Sequence, residues 1–180
     1  MSRDQYPLCD IVPLLVEDIK PMIEMHAQSW LDTYPNDAAG VSRDWVKSQT
    51  ERWLTPDNLA NYEKRVVNDM TNPDRLRLVA KTKDGRIVGD ASPYRDEKVQ
   101  RVGGLYVDKK YHGTGLAQKL MNEVIRWSDQ SRPLELEVAT YNERAKAFYR
   151  KYGFEEIDGS KHLVDDRIPV ITMIRKGDNQ

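Results

Sequence analysis

The chain has 180 residues, with 28 lysines and arginines against 29 aspartates and glutamates for a formal net charge of −1, and 39% of its side chains are hydrophobic. That length suits one soluble domain with a full core, the apolar share is too high for a disordered chain, and the charge balance excludes a strongly basic nucleic-acid binder. No apolar run approaches a membrane span, residues 1–6 carry no apolar leader, and the single Cys9 cannot form an internal disulfide. The expectation is therefore one domain over residues 1–180, with a core over about 10–175, in a reducing cytoplasm.

In chain order, the run 10–15, broken by Pro13, suits an edge strand. Asp18 can cap a helix whose stripe, Ile19, Met22, Ile23, His26, Ala27 and Trp30, keeps steps of three and four until Tyr34-Pro35-Asn36 ends it. A second helix opens near Ser42 and runs through Trp45, Val46 and Trp53; Thr55-Pro56 interrupts it, and a further helix covers about Asn58 to Met70. Leu76, Leu78 and Ala80 then alternate with basic residues, and Asp84-Gly85 turns the chain into a strand over 86–91, which predicts a hairpin. A polar loop holding Arg95 to Lys98 leads to a third strand over 99–107, with Gly103-Gly104 inside it. Leu116, Leu120, Val124 and Trp127 mark a helix, and residues 133–140 alternate as a strand. A helix from about Asn142 stops at Gly153, and two strands around 154–157 and 168–174 close the chain. This is an α+β or mixed α/β pattern.

Between the third strand and the next helix lies His112-Gly113-Thr114-Gly115-Leu116-Ala117. Small residues at a helix N-terminus leave backbone N–H groups open to an anion, which suits a phosphate or pyrophosphate. By itself the pattern is equally a tight turn that needs glycine for its dihedrals. A Walker-type loop and a dinucleotide fold are excluded, since no Gly-Lys-Ser/Thr ending and no third glycine follow. The stretch resembles the pyrophosphate motif of the GCN5-related N-acetyltransferases, (Arg/Gln)-x-x-Gly-x-(Gly/Ala), after the strand Leu105-Tyr106-Val107. A second block is similar too: Leu136-Glu137-Val138, Asn142-Glu143-Arg144-Ala145, Phe148-Tyr149 and Tyr152-Gly153-Phe154. Two departures, His112 for Arg or Gln and Lys109 for a common proline, remove no backbone donor.

The resemblance implies a mixed, twisted central sheet of six to seven strands flanked by about four helices, with acetyl-CoA as cosubstrate. It implies cofactor contacts from Leu105, Tyr106, Val107, His112, Gly113, Thr114, Gly115, Leu116, Ala117 and Asn142. Tyr149 becomes the expected general acid, although its helical spacing equally fits a core tyrosine, and Asn142 is equally an N-cap. Glu137 becomes the expected base through a likeness to the ribosomal-protein alanine acetyltransferases, although it is equally a solvated strand carboxylate like Glu135, and the family resemblance equally allows a water chain in the base's place. The three histidines and one cysteine are too scattered in sequence for a metal site, so none is expected. Trp30, Tyr34, Trp45 and Trp53 gather in the front helices, and Asp32, Asp37, Asp44, Asp165 and Asp166 are candidates to attract a cationic amine. The front and tail segments are similar to small bacterial acetyltransferases, some of which act on polyamines. The expected activity is acetyl transfer to a primary amine on a small molecule, with no nucleic-acid or membrane partner; dimers are common in the family. The alternatives are a non-catalytic acetyl-CoA-binding module and a peptide N-terminal acetyltransferase.

Overall fold

The computed structural model describes residues 9–178, so residues 1–6, read above for a leader, lie outside the described part. Strand β1 (Cys9–Pro13) is followed by helices α1 (Ile19–Thr33), α2 (Arg43–Trp53) and α3 (Pro56–Asp69). Then come β2 (Leu78–Thr82), β3 (Ile87–Ala91), β4 (Tyr94–Arg95), β5 (Gln100–Arg101), β6 (Leu105–Val107) and α4 (Leu116–Trp127). Strand β7 (Leu134–Ala139), helix α5 (Glu143–Arg150), β8 (Glu155–Glu156), β9 (His162–Val164) and β10 (Ile168–Arg175) complete the order. Among the described residues no helix is long and apolar enough to cross a membrane.

Strands form two hydrogen-bonded layers, β1-β2-β3-β6 and β4-β5-β7-β10-β8, with β9 added to β10. Pro13 sits on the outer strand β1, where its missing N–H disturbs no ladder. Strand β2 is buried on both faces. Leu78 and Ala80 pack toward α4, while Val79 joins Ile19, Met22, Ile23 and Val66 of the front helices. Helices α1 to α3 thus cover one face and α4 with α5 the other.

As expected, Thr55-Pro56 separates α2 from α3, with Pro56 opening α3, so the described residues hold five α-helices where the resemblance implied about four. Other details differ from expectation, each with a local cause. Asp18 stands at the N-cap of α1 but makes no capping bond; its carboxylate accepts from Leu15 N–H (3.2 Å) and pairs with Lys81 Nζ (2.7 Å). The predicted loop at 95–98 is the tip of a small hairpin, in which Asp96 Oδ1 accepts from the N–H groups of Lys98 and Val99 at 2.8 Å. Strand β9 was not foreseen; it reaches β10 through the three-residue loop Asp165-Asp166-Arg167, in which Arg167 N–H donates to Val164 O (3.1 Å) and both aspartates sit at positive φ (50° and 56°).

The single strand read over 99–107 is two. Strand β5 pairs parallel with β7 at Arg101 and Glu135, while β6 pairs antiparallel with β3. The change of partner occurs at Val102-Gly103-Gly104. Gly103 has φ +70°, and a Cβ there would lie 2.1 Å from Ser92 O, so only glycine fits. Beyond this point β6 and β7 diverge, and a split opens between the layers.

Candidate active site

The lips of the split follow from ladder alternation. Ser92 N–H donates to Gly104 O (3.0 Å) and Asp108 N–H to Val88 O (2.9 Å), at the two ends of the β3–β6 pairing. Bonded pairs alternate in an antiparallel ladder, so Asp90 and Tyr106 form the bonded pair between them. The backbone groups of Leu105 and Val107 therefore point away from β3, into the split. On the other lip, Thr140 N–H donates to Pro169 O (2.9 Å), and the same alternation turns the backbone groups of Glu137 and Ala139 toward β6. Ala139 O is taken by Asn142 N–H, and Val107 O by the His112 ring. Leu105 and Val107 N–H, with Glu137 N–H and C=O, remain for a ligand.

A groove of about 480 Å³ runs along this split to the loop before α4. Of the expected residues, Leu105, Tyr106, Val107, His112, Gly113, Gly115, Ala117, Glu137, Asn142 and Tyr149 line it. Gly113 and Gly115 adopt φ +80° and +91°, and no neighbouring atom would contact a Cβ on Gly113. The strained dihedrals turn the loop so that α4 starts with the N–H groups of Leu116, Ala117 and Gln118 lacking intrahelical acceptors. The side chains of two expected residues turn away from the groove. Thr114 turns its hydroxyl onto Tyr111 O (2.7 Å) as a turn lock, and the Leu116 side chain is buried in the core, so only its backbone can serve an anion.

Tyr149 is buried at the back of the split, edge-on to Phe148 and Phe154. Burial, and then Tyr34, push its hydroxyl well above the usual phenol range. Tyr34 belongs to the front, where its hydroxyl is 3.0 Å from that of Tyr106 and its carbonyl accepts from Tyr141 Oη–H (2.6 Å). Glu137 Oε1 accepts from Arg101 Nη1 (3.3 Å) and lies 3.5 Å from His162 Nε2. Asn142 both lines the groove and caps α5, its Oδ1 accepting from Ala145 N–H (3.1 Å).

Arg144, to which the sequence assigned no role, also lines the groove, with Nη1 2.6 Å from His112 Nδ1. Its only sequence signal is a place in the first turn of α5, two residues after Asn142. A second cavity of about 470 Å³ lies among α1, α2 and α3, walled by His26, Trp30, Trp53 and Tyr62, with Arg52, Arg65 and Asp165 also on its lining. His26 Nδ1 is 3.6 Å from Asp90 Oδ1, a buried oxygen without a hydrogen bond among the described residues. Tyr34 and Tyr106 line the groove while their ring neighbours Trp30 and His26 line this cavity, so the two spaces share an aromatic wall. No group of three or more metal-ligating side chains occurs among the described residues.

A family model described as an acetyltransferase (GNAT) domain matches residues 44–176. Uncharacterised N-acetyltransferases of Mycobacterium bovis and Mycobacterium tuberculosis are each 35% identical over 117 residues, covering 60% of this chain and 74% of the relative. Among solved structures, the PaiA N-acetyltransferase of Thermoplasma acidophilum in complex with coenzyme A superposes with a TM-score of 0.72 at 23% identity, over 94% of this chain and 99% of that one. A GNAT-family acetyltransferase of Streptococcus pneumoniae gives 0.70 at 20% identity, over 93% and 98%. At these identities the two structures share the fold with this chain.

Proposed function

The chain belongs to the GNAT N-acetyltransferases, and we propose that it moves an acetyl group directly from acetyl-CoA, bound in the β6–β7 groove, to a primary amine on a small molecule. One observation carries the reading: the split, its free backbone donors and the glycine loop form one continuous groove with Tyr149 beside it. The residues present fit the cosubstrate along its length. An amide-bearing arm can pair with both lips as an added strand does, and the N–H groups at the start of α4 suit its diphosphate.

Within that frame each group has a task. Of the N–H groups of Leu105 and Val107, about 6.7 Å apart along β6, one donates to the thioester carbonyl as negative charge builds on its oxygen and the other to the pantetheine arm. Tyr149 keeps its proton at neutral pH because burial holds its hydroxyl up, and it offers that proton to the departing sulfur, whose thiolate burial also disfavours. Glu137, on the front of the split, takes a proton from the incoming amine. Presenting an alkylamine of ordinary basicity in its neutral form at pH 7 costs on the order of 4–5 kcal/mol, which a positioned carboxylate shares.

A small amine acceptor is favoured by the aromatic walls of the second cavity, where Asp165 and the buried Asp90 beneath His26 offer negative charge against Arg52 and Arg65 on the same lining. A thiol-release assay with acetyl-CoA in excess and a panel of polyamines, aminoglycosides, amino acids and N-terminal peptides tests the whole reading. Amine-dependent thiol release with the small amines is the expected result. Release with peptides alone would move the acceptor to a protein terminus, and CoA binding without release under any amine would leave a binding module.

A further inference from the structure

His112 stands where the resemblance leads one to expect arginine or glutamine, and both of its ring nitrogens are committed to protein partners. Nε2 lies 3.0 Å from Val107 O and Nδ1 lies 2.6 Å from Arg144 Nη1. A carbonyl only accepts and a guanidinium only donates. The proton must therefore sit on Nε2, the ring is neutral, and the Nδ1 lone pair receives Arg144. Burial and then the guanidinium hold the imidazole below its ordinary value, in keeping with that state, while the bond to Val107 O and then Asp108 and Asp32 pull the other way. The ring ties the end of β6 to the first turn of α5, 32 residues further on, and leaves no nitrogen for a ligand.

Arg144 is placed differently. In a chain dense with ion pairs it makes none among the described residues, it is exposed, and it shares the groove with Gly113 and Gly115. A guanidinium with a neutral acceptor behind it keeps its whole charge and its remaining N–H donors for an anion, and its planar fork matches phosphate. We propose that Arg144, oriented by neutral His112, supplies the cation that meets a phosphate of CoA, doing at this groove what a basic side chain at position 112 would otherwise do. The inference rests on the acetyl-CoA reading and adds to it a fixed charge beside the backbone loop, on a groove whose lining also holds Lys151.

Calorimetric titration with CoA, 3′-dephospho-CoA and pantetheine tests it, using the wild-type chain, Arg144→Met, His112→Gln and His112→Phe. Arg144→Met should weaken CoA about tenfold or more, the worth of one charge-assisted contact, and leave pantetheine unchanged. A loss seen with both nucleotides places Arg144 at the diphosphate; a loss confined to CoA places it at the 3′-phosphate. His112→Gln, whose amide can donate to Val107 O and accept from Arg144, should stay within roughly threefold of wild type, a change of under 1 kcal/mol. His112→Phe should fall toward Arg144→Met, and the double variant should be no weaker than Arg144→Met alone, because the ring acts through the guanidinium. Wild type that binds CoA alongside an Arg144→Met variant that binds it equally overturns the inference alone. Wild type that binds neither CoA nor acetyl-CoA overturns the reading beneath it.

Discussion

In the proposed reaction Tyr149 and Glu137 divide the proton work because their surroundings differ. The phenol is buried behind the split, so it is kept protonated, whereas the carboxylate is half-exposed in front and held by Arg101. Removing the hydroxyl with Tyr149→Phe preserves the ring packing on Phe148 and Phe154. Thiol release at saturating amine should fall on the order of 10²-fold, while CoA affinity, read by titration, is kept. Unchanged turnover would remove the acid role. Glu137→Gln is expected to slow strongly basic alkylamines more than weakly basic ones that are already neutral at pH 7, since only the former must surrender a proton. Equal slowing across an acceptor series of graded basicity would reduce Glu137 to a structural partner of Arg101. Tyr149 and Glu137 were legible from sequence only through the spacing of a family block; periodicity alone left one a core tyrosine and the other a surface carboxylate. Arg144 was not legible, because its partner His112 lies 32 residues away and nothing local marks the pair.

At the scale of elements, the site exists because one stretch of chain changes partner. Val102 N–H still bonds Glu135 O on β7 (2.9 Å), while Gly104 O already accepts from Ser92 N–H beside β3, so the chain crosses between layers within three residues. Gly103 makes the crossing possible by entering the left-handed region against Ser92. Gly103→Ala should destabilise the fold by roughly 2–4 kcal/mol, combining a left-handed alanine with a backbone clash, and should close or distort the split. Urea denaturation checks the first effect and CoA titration the second; a variant as stable as wild type with normal affinity would show that the crossing tolerates a Cβ. The glycine pair was visible in the sequence inside the third strand, where glycine weakens regular pairing. The split into β5 and β6, each with a different neighbour, was not visible, because alternation within a strand says nothing about which strand lies beside it.

Over the whole molecule, the two layers are held together by one apolar cluster beneath the split. It contains Val88 and Val107 of the first layer, Leu136 and Met173 of the second, Leu120 and Met121 of α4, and Phe154 after α5. Phe154→Ala removes a buried ring that backs Tyr149, and is expected to cost about 3–5 kcal/mol. If the layers unfold as one unit, tryptophan fluorescence and far-ultraviolet circular dichroism will report a single coincident transition in both wild type and variant; separated transitions would show two independent units. Charge acts at the same scale. A net of −1 is compatible with an anionic cosubstrate because the proposed anchors are backbone donors and a placed guanidinium, and a local arrangement of this kind leaves no mark in a total. The sequence by itself determined the succession of helices and strands, the glycine loop at the start of α4 and the tyrosine of α5, since periodicity, turn chemistry and motif spacing are properties of neighbouring residues. Only the tertiary structure decided the divergence of β6 from β7, the aromatic wall between groove and cavity, and the union of His112 with Arg144. Each of these is a contact between segments far apart in the chain, set by sheet partner and packing, which no local pattern encodes.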